Sequence, residues 1–235
     1  MSNQSSGNRA LQLYLLLAAL FIAALVACNL IFRKFFVWSP FGDGEAWYQF
    51  TLEQSVGILP YPITFLITDL ISELYGQRNA NRVVMSGLVA SVFVLLIVYV
   101  SGNAMAADWS PVNDSQFAHV FGQTGIAVAA SMIAYLVAQL IDIRVFHFWK
   151  RVTNGKMLWV RNNFSTLTSQ MADTSVVLLM LCAFGEIAWQ QFFSLFVAGY
   201  LFKAAIALAD TPFFYLGTYW GQRWLGLKPG EEAKL

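Results

Sequence analysis

Six apolar runs, each long enough to cross a lipid bilayer as a helix, decide most of what this chain can fold into. They cover residues 10–32, 56–75, 83–100, 120–145, 164–184 and 187–219. Crossing the hydrocarbon takes about 20 apolar residues in helical form. Inside it, every backbone N–H and C=O must be satisfied within the protein, which leaves helices as the economical solution. Hydrophobic residues make up 58% of the 235 and charged residues 11%, against roughly a quarter charged in a soluble domain. The expected fold is therefore an all-α integral membrane protein with six transmembrane helices. Residues 1–9 are expected to form a disordered polar tail, residues 10–220 the six-helix transmembrane domain, and residues 221–235 a cytoplasmic C-terminal tail. The first run is too long for a signal-peptide core and lacks a small-residue cleavage site, so it reads as a retained helix.

Lysine and arginine orient the helices. Arg9, Arg78, Arg82, Arg144, Lys150, Arg151, Lys156, Arg161, Arg223, Lys228 and Lys234 fall in segments that alternate onto one side, whereas the opposite loops hold only Arg33 and Lys34. The positive-inside rule then places both termini in the cytoplasm. The connections read as a loop over 33–54 with the turn-forming stretch SPFGDGE, a short link GQRNANR, a polar loop over 101–119, a basic loop over 147–163 and a tight turn at Gly185 and Glu186. The sixth run is long enough to tilt, or to bend at Pro212. Three runs before residue 100 and three after permit a 3+3 inverted repeat, and Thr64-x4-Asp69 is echoed by Thr168-x4-Asp173. A net charge of +1 gives no footing for a nucleic-acid partner. Cys28 and Cys182 lie within apolar runs and are expected to be free, while His119 and His147 have no companions at ligand spacing; neither a metal nor a cofactor is expected.

The polar residues inside the runs carry the functional reading. Ionisable groups cost roughly 2.5–3.5 kcal/mol each at a helix centre, yet the segment over 60–76 (PYPITFLITDLISELYG) keeps Asp69 and Glu73 one turn apart. Helical spacing sets Phe65, Asp69 and Glu73 on one face of the second helix, Tyr135, Gln139 and Asp142 on one face of the fourth, and Thr166, Gln170 and Asp173 on one face of the fifth. The sixth offers Lys203 and Asp210, and the first offers Asn29. None can face lipid unpaired, so they are expected to converge on a polar cavity near the midplane, with Lys203 as counter-charge for Asp173 or Asp69. Plainer readings stand beside this one. Lys203 with Asp173 could be a structural ion pair, Glu73 a solvated interfacial acid, Asp142 a helix-end group beside Arg144, and Asp210 part of a local polar kink before Pro212.

The stretches ITFLITDLISELYG, AQLIDIRVFHFWKR, RNNFSTLTSQMADT and FKAAIALADTPFFY resemble, in order and spacing, the signature segments of the queuosine precursor transporter family, also called the VUT family. The resemblance covers residues 11–220. It implies a six-helix protein of the bacterial inner membrane that imports 7-deazaguanine bases: the cyano or aminomethyl precursors of queuosine, or queuine. Such a base presents N1–H and an exocyclic amine side by side, a two-donor edge that one carboxylate can accept. Asp69, Glu73 or Asp173 could be that carboxylate. Gln139, Asn29, Gln170 or Lys203 could donate to O6, and Phe65, Tyr61 or Phe164 could wall the ring. Asp69 or Asp173 could also titrate and couple uptake to protons. The expected partners are the base, the bilayer and, in a plausible homodimer, a second copy. No G-x-x-x-x-G-K-[ST] loop is present, so the chain is not expected to hydrolyse ATP itself, nor to be an enzyme. The alternative function is the substrate-binding subunit of an energy-coupling-factor importer that needs a separate ATPase.

Overall fold

The computed structural model describes residues 2–38, 52–122, 125–185 and 187–234. The stretch SPFGDGE and Glu186 lie outside the described residues. The chain forms α1 (Ser2–Ile31), β1 (Phe35–Trp38), β2 (Leu52–Ser55), a 3-10 turn (Val56–Ile58), α2 (Tyr61–Tyr75), α3 (Gln77–Gly102), α4 (Asp114–Phe121), α5 (Gly125–Val152), α6 (Leu158–Ala183), a second 3-10 turn (Trp189–Gln191) and α7 (Phe192–Leu225). Six of these segments are long and apolar enough to span a membrane: Gly7–Ile31, Val56–Tyr75, Gln77–Gly102, Val128–Val152, Leu158–Ala183 and Trp189–Leu225. The protein is a multi-pass helical membrane protein. An even number of spans leaves both termini at one end, here called the terminal face; the β1–β2 hairpin marks the other, the hairpin face.

The helices run further than apolarity alone suggests. Once nucleated in the hydrocarbon, a helix adds each further residue cheaply, so polar flanks continue it. Helical hydrogen bonding in α1 reaches back to Ser2, through the segment expected to be an irregular tail. The basic connection shrinks to a short turn, because α5 continues to Val152 and α6 begins at Leu158. The link GQRNANR is helical from Gln77, and α2 and α3 meet at Gly76 alone. Its φ of 80° is open to glycine and costly for any other residue. The 101–119 loop gives up its second half to α4, whose start is fixed by a capping box between Asn113 and Gln116.

The fold departs from all-α at the hairpin face, where β1 and β2 pair antiparallel with Phe35 opposite Ser55 and Trp38 opposite Leu52. Two bonds tie the end of this hairpin to the residues that follow α1. The Val56 amide donates to Lys34 O at 2.7 Å, and the Ser55 hydroxyl donates to Phe32 O. Gly57 fits beneath because it has no side chain; a Cβ there would sit 2.7 Å from Cys28 O.

Apolar side chains cannot drive helices together in lipid, so close packing and polar contacts must do it. Accordingly, Leu15, Leu16, Leu20, Phe93, Leu96 and Phe213 face outward. α2 is enclosed along most of its length. Gly217 and Gly221 of α7 let Leu70 and Leu74 of α2 approach its backbone, and Gly87 of α3 receives Phe21 of α1. The terminal end of α2 is also covered by the segment after α7: the Ala233 amide donates to Leu74 O at 2.7 Å, and the Ala233 side chain joins the core.

Candidate functional site

The polar faces meet inside the bundle at three successive levels. The level nearest the hairpin face is a cavity of about 250 Å³ lined by Cys28 and Asn29 of α1, Ser55, Gly57, Tyr61 of α2, Tyr135 of α5, Asp173 and Val177 of α6, and Lys203 of α7. Lys203 Nζ lies 2.5 Å from Asp173 Oδ2, with both side chains largely buried. The Tyr61 ring sits under the same ammonium at 5.3 Å, close enough for a cation–π contact. Tyr61 in turn packs edge-on to Phe65. A narrower cleft continues from Tyr61 and Lys203 towards the terminal face, lined by Phe65, Thr166, Gln170 and Asp210. Gln170 Oε1 is buried there without a donor. Thus Lys203 pairs with Asp173 and not with Asp69.

The middle level joins α2, α5 and α6. Thr68 donates to Gln139 Oε1 at 3.1 Å, which aligns α2 with α5. Thr166 donates to Asp69 Oδ2 at 3.4 Å and Ser169 to Asp142 Oδ1 at 3.0 Å. Asp69, Asp142 and Gln139 are buried but lie outside the cavity lining. Asp142 is not a helix-end partner of Arg144, which is exposed one turn-half away on the same helix.

The level nearest the terminal face is ionic. Glu73 Oε1 accepts from Arg161 Nη2 at 2.6 Å, and Lys150 Nζ stands 3.7 Å from Glu73 Oε2 and 2.9 Å from Glu232. Arg161 also donates to the carbonyls of Gly155 and Lys156. Glu73 is therefore buried and paired, and not a solvated interfacial acid. Arg161, Lys150 and Glu232 complete an ionic network around Glu73 that sequence reasoning missed. Little in the sequence signals Arg161, which lies three residues before the apolar run over 164–184. Phe164, one of the residues expected to wall a ring, faces outward and packs on Trp149.

A family model described as "Putative vitamin uptake transporter" matches residues 55–217, well over half of the chain. The chain belongs to this vitamin uptake transporter family. Its members are transporters, not enzymes. The chain is 27% identical over 170 residues to the "Probable queuosine precursor transporter" of Bacillus subtilis (strain 168), covering 71% of this chain and 72% of that protein. It is 30% identical over 171 residues to the protein of the same name from Haemophilus influenzae, covering 68% and 66%. Over 119 residues it is 27% identical to the "Queuosine precursor transporter" of Escherichia coli (strain K12), covering half of each. No solved structure matches the chain. The match to the vitamin uptake transporter family starts at Ser55 and so takes in α2, α3, α5, α6 and most of α7, the elements that supply Asp173, Lys203, Asp69 and Glu73.

Proposed function

We propose that this protein imports queuosine precursors across the bacterial inner membrane, and that the cavity at Asp173 and Lys203 holds the 7-deazaguanine base. The observation that carries this reading is the cavity itself: lined by five helices, of a size suited to one small flat ligand, and furnished with a carboxylate and an ammonium side by side. Asp173 accepts the paired N1–H and amine donors of the base, Lys203 and Asn29 donate to its O6, and Tyr61 provides an aromatic face. The base replaces part of the Lys203–Asp173 contact with its own, so neither charge is left unpaired when it binds. A base lacking that donor–acceptor edge would strand two buried charges, which is how such a site discriminates.

The two ends of the bundle differ in a way that suits a carrier. The cavity extends to Phe32, Ser55 and Gly57 at the hairpin face. Between it and the terminal face stand the Asp69–Asp142 level and the Glu73–Arg161–Lys150 network. With the termini in the cytoplasm, as the lysine and arginine distribution favours, this is a conformation loaded from outside. Release would require the ionic level to part.

The test is ligand-dependent thermal stabilisation of the purified protein with the cyano base, the aminomethyl base, queuine and guanine, followed by uptake in proteoliposomes. Stabilisation by a deazaguanine, lost in Asp173→Asn, is expected. Absence of stabilisation by any of the four would remove the reading. Uptake by the chain alone separates a self-sufficient carrier from a binding subunit that needs an ATPase, which would bind without transporting.

A further inference from the structure

Asp69 of α2 and Asp142 of α5 meet α6 at the same level, bonded to Thr166 and Ser169, which lie one turn apart on that helix. The two acids are only 1% and 0% exposed. Their positions are fixed from three sides: the Thr68–Gln139 bond aligns α2 with α5, and α6 reaches in with Thr166 to one acid and Ser169 to the other. The two remaining oxygens, Asp69 Oδ1 and Asp142 Oδ2, are buried and accept from no donor group. An ionised carboxylate only accepts, so a hydrogen bond between two carboxyl groups needs a proton on one of them.

Among the described residues, no side-chain cation is paired with either acid in place of that proton. On α2 the nearest charge is Glu73, which is taken up by Arg161 of α6 and Lys150 of α5. α5 also carries Arg144, which is exposed, and His147, one turn and more towards the terminal face. On α6, Asp173 is held by Lys203 of α7. α7 adds the half-buried acid Asp210, and the spans of α1 and α3 carry no Asp, Glu, Lys or Arg over residues 10–32 and 83–102. Thr166 connects the pair to the base: it donates to Asp69 and also lines the cleft that continues from the cavity.

We propose that the Asp69–Asp142 pair is the proton-binding site that couples uptake of the base to proton entry, an inference that rests on the transport reading above. A proton arriving from the hairpin side converts one carboxylate to a carboxyl, which can then donate to the other acid, removing net charge from the α2–α5–α6 junction. When the ionic level at the terminal face parts, water reaches the pair and the proton leaves to that side as the carboxylate is regenerated. No other co-reactant is needed.

The experiment uses wild-type protein in proteoliposomes with a labelled 7-deazaguanine base. Three measurements are made: base exchange at equal pH, accumulation under an imposed pH gradient (acid outside), and lumenal pH by an enclosed dye. For one proton per base, each unit of gradient raises the accumulation ratio by about tenfold, because one proton moved across one pH unit is worth about 1.4 kcal/mol. Addition of base outside should also acidify the lumen. Asp142→Asn and Asp69→Asn should bring the ratio of accumulation with and without the gradient close to one. Exchange that proceeds while accumulation ignores the pH gradient would overturn the coupling and leave the transport reading in place. Accumulation driven by a sodium gradient at constant pH would overturn it equally, by assigning the site to a metal cation. Absence of exchange for every base tested would sink the transport reading and the coupling with it. Because the deciding measurements are made on the wild type, misfolding of either variant does not protect the proposal.

Discussion

The Glu73–Arg161 pair gives the sharpest energetic prediction. Both residues are almost wholly enclosed, at 1% and 2% side-chain exposure, and their charged atoms are 2.6 Å apart. Removing one partner of such a pair strands a charge that has already lost its water, at a cost of about 3–5 kcal/mol. Arg161→Met should sit at the lower end, about 3 kcal/mol, because Lys150 remains 3.7 Å from the other Glu73 oxygen. Glu73→Leu should cost at least as much, since Arg161 keeps only carbonyl acceptors. In the double variant the stranded charges vanish together. What stays lost is the pair of bonds from Arg161 to Gly155 O and Lys156 O, worth about 1 kcal/mol each. The double variant should therefore cost about 2 kcal/mol where the sum of the singles is about 6 or more. At 2–4 °C per kcal/mol for a chain of this size, the single variants should lower the melting temperature by about 6–12 °C. Detergent-solubilised protein followed by intrinsic fluorescence during heating would measure the full cycle. Additivity of the two single effects within about 0.5 kcal/mol would refute the claim that the two residues act as one buried unit.

Three further outcomes are expected. Lys203→Met should lower thermal stability by about 3 kcal/mol through the stranded Asp173 and abolish base binding; adding Asp173→Asn should restore stability but not binding, and recovered binding in the double variant would remove both residues from the site. Gly76→Ala should destabilise the protein by about 1–3 kcal/mol for the backbone alone, since φ 80° with ψ 169° is open essentially to glycine only, and further because the new Cβ would land on the Glu232 carboxylate; a melting temperature equal to wild type would contradict the α2–α3 junction described here. Deleting residues 231–235 should remove the Glu232–Lys150 and Ala233–Leu74 contacts and speed labelling of a cysteine placed at Leu74 by a water-soluble thiol reagent; unchanged labelling would show that the segment does not cover this end of α2.

Length and hydropathy were enough to find every span, because lipid imposes one requirement on all of them. The facing sets Asp69–Glu73, Gln139–Asp142 and Thr166–Gln170–Asp173 were also legible, since helical spacing alone puts such residues on one face. Which face met which was not. Asp173 and Asp69 were both open as counter-charges for Lys203, and the packing of α6 against α7 decides for Asp173. The plainer reading of Glu73 as a solvated acid fails because its partner, Arg161, lies in a stretch that reads as a basic loop; the helix continues past the apolar run and carries that arginine inward. The hairpin escaped notice because four-residue strands separated by 13 residues leave no periodicity to read.

That hairpin has a mechanical consequence. At one end, the segment leading into α2 is stitched through Ser55 and Val56 to the residues that follow α1; at the other, α2 turns into α3 through a single residue, Gly76. Pinned at both ends, α2 has no slack. Any stroke that displaces it must carry α1 and α3 along as one lever, and the sliding surface must lie where α2 meets α5, α6 and α7. That surface holds the acids, the amides and the buried cations, so the polar groups occupy the bearing on which the lever turns.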